Sequence, residues 1–328
     1  MTDISAMQRF PPTGEHQSVS IIIPAYNVAP YIAATLDSVM AQTYPWWEAI
    51  VVNDGSTDSL DLEHALAPFQ SRITYIRQAN KGAGAARNAA IRVAQGEWLA
   101  FLDGDDYWAA NCLESQLKVL RQRNLDMVWS DGVAVGDSAV AGTRISKLGP
   151  CVGEVTLAAL ILATVNIPNS GTVVRRSCVN AVGGVDETIR RGQDFDLWVR
   201  LLNSGVRAGY HGESLLRYRM REDSLTGDAI SAIDRELNVL RRVRDKRILS
   251  EQLEAVIDRR LTEVEALRET TLGKRQLHSR QYGAARRHFR RAQQILPTRK
   301  MRWVLALFPL AAPLLRRLTL ARSPTEFR

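Results

Sequence analysis

A chain of 328 residues can hold one large domain with an appendage, or two domains. Its apolar fraction of 45% and charged fraction of 24% are those of an ordinary globular protein and exclude a fibrous or low-complexity one. The net charge of +8 is uneven: residues 271–328 hold 14 Lys/Arg against the single acid Glu326, a surplus of +13, so residues 1–270 sum to about −5.

Residues 1–17 are polar, lack the apolar core of a signal peptide and read as a flexible tail. Residues 18–23 are β-branched and apolar, a buried strand that Pro24 is expected to end. Residues 30–42 carry Ile32, Leu36, Val39 and Met40 at helical spacing. Residues 47–52 form a second strand that runs into Asn53-Asp54-Gly55-Ser56. A helix over 60–69, a strand over 73–76, a glycine-led helix over 82–94, a strand over 98–102 and a helix over 111–123 follow. Strands alternating with helices imply an α/β fold: a Rossmann-like, mainly parallel sheet with helices on both faces. Ligands bind beyond the carboxyl ends of such strands.

After Asp126 the pattern changes. Residues 127–135 read as a strand, 155–163 as helical, 172–174 as a short strand and 194–202 as an amphipathic helix. This second half is expected to complete the sheet and build an acceptor pocket. Residues 228–294 are rich in Leu, Arg and Glu with helical periodicity. Residues 281–297 look like one half of a tetratricopeptide-type pair, and a single unit makes no solenoid. The expected organisation is a tail (1–17), a catalytic domain (18–226, divided at 125/126), a helical appendage (227–298) and a basic, apolar tail (299–328). Cys112, Cys151 and Cys178 are few, odd in number and without ligand spacing, which points to a reducing compartment and no disulfide framework.

The strongest chemical signal is Asp103-Gly104-Asp105-Asp106, at the carboxyl end of the apolar run 98–102. Clustered carboxylates repel one another and resist desolvation. A divalent cation bound through oxygen would hold them, although an acidic turn capping the next helix is an ordinary alternative. Asp54 begins an Asp-Gly turn, which is turn chemistry or a ligand contact. Tyr26 is a core residue or a ligand contact. Asp194 stands ahead of Phe195-Asp196-Leu197-Trp198, where an aspartate is commonly an N-cap.

Taken together and in order, five segments resemble the family two glycosyltransferases, inverting enzymes with a type A glycosyltransferase fold. They are Ser20-Ile21-Ile22-Ile23-Pro24-Ala25-Tyr26-Asn27, Val52-Asn53-Asp54-Gly55-Ser56-Thr57-Asp58, Lys81-Gly82 through Ala86-Arg87-Asn88, Phe101-Leu102-Asp103-Gly104-Asp105-Asp106, and Gly192-Gln193-Asp194-Phe195-Asp196-Leu197-Trp198. The resemblance covers about residues 18–226 and implies roles for individual residues. Pro24, Ala25 and Tyr26 would pack near the donor base and Asp54 would hydrogen-bond it. Gly84 and Arg87 would lie beside the nucleotide. Asp103 would reach the ribose or a metal-bound water, and Asp105 would coordinate Mn²⁺ or Mg²⁺ at the diphosphate. Asp194 would be the general base. Ser170, Gln193, Arg219 and Ser224 would contact acceptor or diphosphate. Members often carry Glu before the base, and here it is Gln193, which keeps hydrogen bonds but removes a charge. The Gln/Arg-x-x-Arg-Trp segment of processive members is missing, which favours single additions. The resemblance implies a nucleotide diphosphate sugar donor, commonly uridine-linked, and a glycan or lipid-linked acceptor.

Rival readings fare worse. Gly82-Ala83-Gly84-Ala85-Ala86-Arg87 nearly matches a dinucleotide fingerprint, but Arg87 replaces the third glycine and the first strand–helix unit does not carry it. No glycine-rich loop ends in Lys-Ser/Thr, which argues against a P-loop NTPase. A non-catalytic nucleotide-binding scaffold with a basic nucleic-acid- or membrane-binding tail is the alternative. Tyr282 and Phe289 are too few aromatics for base stacking over 271–302, so no specific nucleic-acid partner is expected. Residues 303–315 are apolar between basic flanks, too short for a span of roughly 20 residues and interrupted by Pro309 and Pro313. They suit an anchor on an anionic membrane surface, or a terminal helix packed on the protein. The expected location is cytoplasmic, at the inner face of the cell membrane.

Overall fold

The computed structural model describes residues 18–149, 155–221, 229–246, 249–308 and 312. The chain divides into two compact units at Arg221/Glu222.

In the first unit, β1 (Val19–Ala25), α1 (Ala29–Met40), β2 (Trp47–Asp54), α2 (Ser59–Leu66), β3 (Ile73–Gln78), α3 (Ala83–Val93) and β4 (Trp98–Phe101) alternate. Then come β5 (Tyr107–Trp108), α4 (Cys112–Gln122), β6 (Met127–Val135), α5 (Ile145–Leu148), α6 (Leu157–Ile161), β7 (Thr172–Arg175), α7 (Arg176–Ala181), α8 (Gln193–Asn203) and β8 (Ala208–Arg219). One eight-stranded sheet runs in the order β3-β2-β1-β4-β7-β6-β8-β5. The β3-β2-β1-β4 half is wholly parallel. The other half is mixed: β7 is antiparallel to β4 and β6, β8 is parallel to β6, and β5 is antiparallel to β8.

Burial on both faces explains the unbroken apolar runs. Ile21 and Ile23 of β1 pack with Ile32 and Leu36 of α1, Leu62 of α2, and Leu113 and Leu117 of α4. On the opposite face Ile22, Ile50 and Phe101 are fully buried, and Phe101 meets Trp198 of α8 edge-on at 5.8 Å between centroids.

One expectation needs correction and one strand was not foreseen. Pro24 does not end β1; it pairs with Val52, and the strand continues to Ala25. Its missing N–H costs little there, because the β4 register stops at Ile22–Phe101 and leaves Pro24 with no partner on that side. The 12-residue β8 carries no clear alternation in sequence, because Gly209, Gly212 and several polar residues interrupt it. Pairing with β6 nevertheless forms it, with register shifts at Ser130–Gly132.

The second unit contains α9 (Ala229–Asp245), α10 (Glu251–His278), α11 (Tyr282–Ile295) and helical residues 299–308. Its small core gathers Leu277, Ala285, Phe289, Phe308 and Ala312. Phe289 and Phe308 are edge-on at 5.8 Å. A Cβ on Gly273 of α10 would lie 2.5 Å from the Phe289 ring, so glycine is what lets α10 and α11 approach. The apolar run 303–315 therefore has a packed side: Phe308 and Ala312 are buried, and Val304 and Leu305 lie against the core. Trp303 (69% exposed) and Leu307 (48%) face away. Among the described residues no helix is long and apolar enough to cross a membrane. The tail 1–17, Cys151, Ser224 and residues 313–328 lie outside the described residues.

Candidate active site

The carboxyl ends of β1, β2 and β4 lie side by side and carry Tyr26, Asp54 and the acidic turn. Asp54, the last residue of β2, is buried, and its carboxylate is fully engaged by the β3–α3 loop. It accepts from Gln78 Nε2 (2.7 Å), the Lys81 amide (2.9 Å) and the Gly82 amide (2.7 Å). Gly82 has φ +96°, a conformation that suits glycine and turns its N–H to Asp54. Asp54 thus shapes this loop whatever it touches besides. Tyr26 is 47% exposed at the end of β1, so it is not a core residue. Gly84 packs closely on the loop after α7: a Cβ there would sit 3.3 Å from Val185.

The acidic turn splits its three carboxylates among three environments. Asp103 accepts from Arg87 Nη2 at 2.6 Å and from Asn169 Nδ2 at 3.1 Å. Arg87 itself is buried in α3, and its Nε and Nη1 have no hydrogen-bond partner among the described residues. Asp105 keeps a partly open carboxylate, on which Arg221 Nη1 donates to Oδ2 at 3.1 Å. Burial and the neighbouring Asp103 push the Asp105 carboxyl above its ordinary range, while Arg221 pulls it down. Asp106 turns inward and is fully buried, accepting from the Arg219 amide at 2.7 Å. Burial, then Asp105 and Asp103, hold the Asp106 carboxyl well above the ordinary range. Asp106 is a structural member of the turn. The Thr35 hydroxyl of α1, 3.0 and 2.7 Å from the carbonyl oxygens of Gly104 and Asp106, locks the turn from below.

Ser170 and Arg219 come from the second half of the sheet and meet the turn directly. Ser170 Oγ accepts from the Asp103 amide at 3.1 Å, and its carbonyl accepts from Trp108 Nε1 at 2.6 Å. Arg219 Nε donates to the Asp105 carbonyl at 2.9 Å, and its guanidinium lies 4.8 Å from the Tyr31 ring centroid. Both residues frame the turn.

Helix α8 starts at Gln193 behind Gly192, which has φ +81°. Gly192 is therefore the N-cap and Asp194 is inside the first turn, so the capping explanation of Asp194 does not hold. Among the described residues its Oδ1 accepts locally, from the Phe195 amide at 2.9 Å. Asp196 is the structural acid of this helix, buried and bridged to Arg200 at 2.8 Å. Gln193 is buried, and its Oε1 has no hydrogen-bond partner among the described residues.

Two residues were missed in the sequence. Tyr218 of β8 links the halves: burial, then the charges of Asp106, Asp103, Asp105 and Asp194, all push its phenol up. One side chain thus feels both the acidic turn and Asp194. Arg221, beside Arg219, lies 4.8 Å from the Tyr31 ring centroid and holds Asp105. No sequence pattern marks either residue, because both depend on β8.

Among the described residues no group of three or more His, Cys, Asp or Glu forms a metal cage. Magnesium at phosphate sites commonly takes one or two carboxylates, with phosphate oxygens and water completing the shell. Asp103 and Asp105 fit that donor set.

An open α/β sheet with an acidic turn at its carboxyl edge defines the class of the first unit: a ligand-binding α/β protein of the doubly wound kind. The glycosyl transferase family 2 pattern matches residues 20–178. TuaG of Bacillus subtilis, a glycosyltransferase assigned to teichuronic acid biosynthesis, is 32% identical over 230 residues, covering 69% of this chain and 88% of that protein. The UDP-Glc:alpha-D-GlcNAc-diphosphoundecaprenol beta-1,3-glucosyltransferase WfaP of Escherichia coli is 31% identical over 229 residues, 69% of this chain and 86% of that protein. An uncharacterized glycosyltransferase of Rickettsia felis is 31% identical over 225 residues, 68% of this chain but only 37% of its own length. Among solved structures, S. aureus TarS 1-349 in complex with UDP-GlcNAc aligns with a TM-score of 0.62 at 19% identity, over 95% of this chain and 93% of that one. The mannosyltransferase PcManGT of Pyrobaculum calidifontis, in complex with GDP-Man and Mn2+, aligns at 0.59 and 16% identity, over 93% and 88%. These structures share the fold. The chain belongs to glycosyl transferase family 2.

Proposed function

We propose that the chain transfers one sugar from a nucleotide diphosphate sugar to an acceptor hydroxyl, with inversion at the anomeric carbon. The observation that carries this reading is the acidic turn at the carboxyl end of β4, where Arg87 and Asn169 hold Asp103 and Arg221 holds Asp105, beside the end of β2 that carries Asp54. Pro24, Ala25 and Tyr26 line the base side, and Asp54 sets the loop that closes it. Arg87, beside Asp103, has two buried nitrogens, Nε and Nη1, without a hydrogen-bond partner among the described residues, and these would turn to the nucleotide. Asp103 faces the ribose. Asp105, with Asp103, would hold Mn²⁺ or Mg²⁺, which opposes the charge that grows on the departing diphosphate.

On the other side Asp194 takes the proton of the acceptor hydroxyl as its oxygen bonds the anomeric carbon. The carbon–oxygen bond to phosphate breaks, and the diphosphate leaves with the electron pair. A general base of this kind contributes roughly 10²–10⁴-fold. Gln193 Oε1, next to Asp194 and without a hydrogen-bond partner among the described residues, would accept from an acceptor hydroxyl.

TarS binds UDP-GlcNAc and PcManGT binds GDP-Man with Mn2+. WfaP is named for UDP-Glc and a diphosphoundecaprenol-linked acceptor. TarS and WfaP support a uridine-linked donor, PcManGT supports a divalent cation, and WfaP supports a lipid-linked acceptor in surface polysaccharide synthesis. Exposed Trp303 and Leu307, beside Arg299, Lys300 and Arg302, support an anionic membrane surface, on the cytoplasmic side, as the place where that acceptor is met.

Isothermal titration with UDP, GDP and the other nucleoside diphosphates, with and without Mn²⁺, tests the reading. One diphosphate binds in a metal-dependent way, and Asp105→Asn abolishes the dependence. Failure of all of them to bind folded protein at millimolar concentration would overturn the proposal and favour a scaffold.

A further inference from the structure

The ion pair between Arg221 and Asp105 occupies the carboxylate that the proposed reading assigns to the metal, and the inference rests on that reading. Arg221 Nη1 donates to Asp105 Oδ2 at 3.1 Å, and Nη2 reaches the Asn27 carbonyl at 3.5 Å. The guanidinium lies 4.8 Å from the Tyr31 ring centroid. Only 13% of the Arg221 side chain and 23% of the Asp105 side chain are exposed, so the pair is poorly screened. Arg219 plays a different part: its Nε donates to the Asp105 carbonyl and its backbone amide to the Asp106 carboxylate, so it holds the turn rather than the Asp105 carboxylate.

The turn's charge is therefore already met from within the protein: Arg87 on Asp103 and Arg221 on Asp105. A bare divalent cation approaching Asp105 meets a guanidinium on the same carboxylate, and two cations sharing one carboxylate repel. A diphosphate changes the balance. It brings negative charge and offers the planar guanidinium paired oxygens that a single carboxylate oxygen does not.

The geometry points to Arg221 as a resident counter-ion that guards Asp105 and transfers to the diphosphate when the donor arrives. The donor thereby releases Asp105, and cation and diphosphate enter as a pair. In the occupied site Arg221 faces the leaving group. Two properties follow with opposite signs. Arg221 weakens binding of the cation alone and strengthens binding of the diphosphate.

Isothermal titration of the full chain with Mn²⁺ alone, UDP alone and UDP with Mn²⁺, with GDP in parallel, reads both. In Arg221→Gln, Mn²⁺ alone should bind about tenfold tighter than in the wild type. UDP with Mn²⁺ should bind about tenfold weaker, the scale of one charge-assisted hydrogen bond. Arg221→Lys keeps the charge and should keep the weak binding of Mn²⁺ alone, while losing diphosphate affinity through its single-point geometry. Thermal melting of both variants shows that they fold, and the Lys variant carries the test if the Gln variant does not. Unchanged Mn²⁺ binding in Arg221→Gln, or a fall in cation and diphosphate binding together, would overturn the guard role. If no diphosphate binds the wild type, the glycosyltransferase reading fails; if diphosphates bind and only the Mn²⁺ response is missing, this inference alone fails.

Discussion

The two units of this chain use charge in opposite ways. In the first, ionised groups are drawn into the protein: the side chains of Asp131 and Asp196 are fully buried, and that of Arg87 is 7% exposed. In the second, charge decorates helix surfaces, with Arg241–Glu265 at 2.6 Å and Arg268–Asp234 at 2.5 Å between helices. Desolvating a charge is costly, and a lone exposed pair is worth about 0–1 kcal/mol. Buried charge in the first unit thus holds loops and the acidic turn in place, while in the second Glu269 is the buried acid among the described residues, paired with His288 at 2.8 Å.

The sharpest way to break this contrast is at the proposed base. Asp194→Asn should cut kcat roughly 10²–10⁴-fold in a donor–acceptor assay, because the amide cannot take the proton. Diphosphate affinity by titration should stay near the wild type. Loss of affinity as well would assign Asp194 to the donor side.

The second unit should be sensitive to shape rather than charge. Gly273→Ala places a Cβ 2.5 Å from Phe289 and should cost about 1–3 kcal/mol by overpacking. This runs against helix propensity, by which alanine gains about 1 kcal/mol over glycine. Chemical denaturation with a fluorescence readout decides between the two signs.

Asp131 sharpens the contrast from the first unit. It accepts from the Gly132 and Ser146 amides, the Ser146 hydroxyl and Arg144 Nε, and so pins the loop between β6 and α5. Burial pushes its carboxyl up, but the Ser146 hydroxyl, the two amides and Arg144 together hold it below the usual range. A depressed folded-state pKa means stability that is present above the unfolded value, about 3.9, and lost as pH falls through the folded one. Wild type should therefore lose stability below the ordinary carboxylate range more steeply than Asp131→Asn in urea titrations down the acid scale. Equal slopes would remove Asp131 from that role.

The smallest effect belongs to the surface pairs. Glu265→Ala should change stability by less than about 1 kcal/mol, and added salt should erase the difference. A loss several times larger would mean that the helical unit depends on its ion pairs after all.

Three strands of the parallel half, β1, β2 and β4, were legible because each is buried on both faces and ends in a marked turn. β1, β2 and β4 announce themselves as apolar runs followed by Pro24-Ala25-Tyr26, Asn53-Asp54-Gly55 and Asp103-Gly104-Asp105. β8 was not legible. It borrows its strand character from β6 through a bulged register, and Tyr218 and Arg221 went unseen with it. Asp54 was visible as a turn residue, but its three partners in the β3–α3 loop were not.

The amino-acid sequence alone determined the order of alternating elements, the five motif segments and the placing of the net positive charge in the last stretch of chain. These are local properties, written in runs of neighbouring residues. Only the tertiary structure decided which aspartate of the acidic turn points inward, which arginine sits on Asp105, and that Gly192 rather than Asp194 caps α8. The first two outcomes depend on residues more than 60 positions apart, such as Asp103 with Asn169 and Asp105 with Arg221, brought together by β7 and β8; the third turns on the left-handed backbone of Gly192. Charge energies follow distance and burial, and neither can be read from a line of residues.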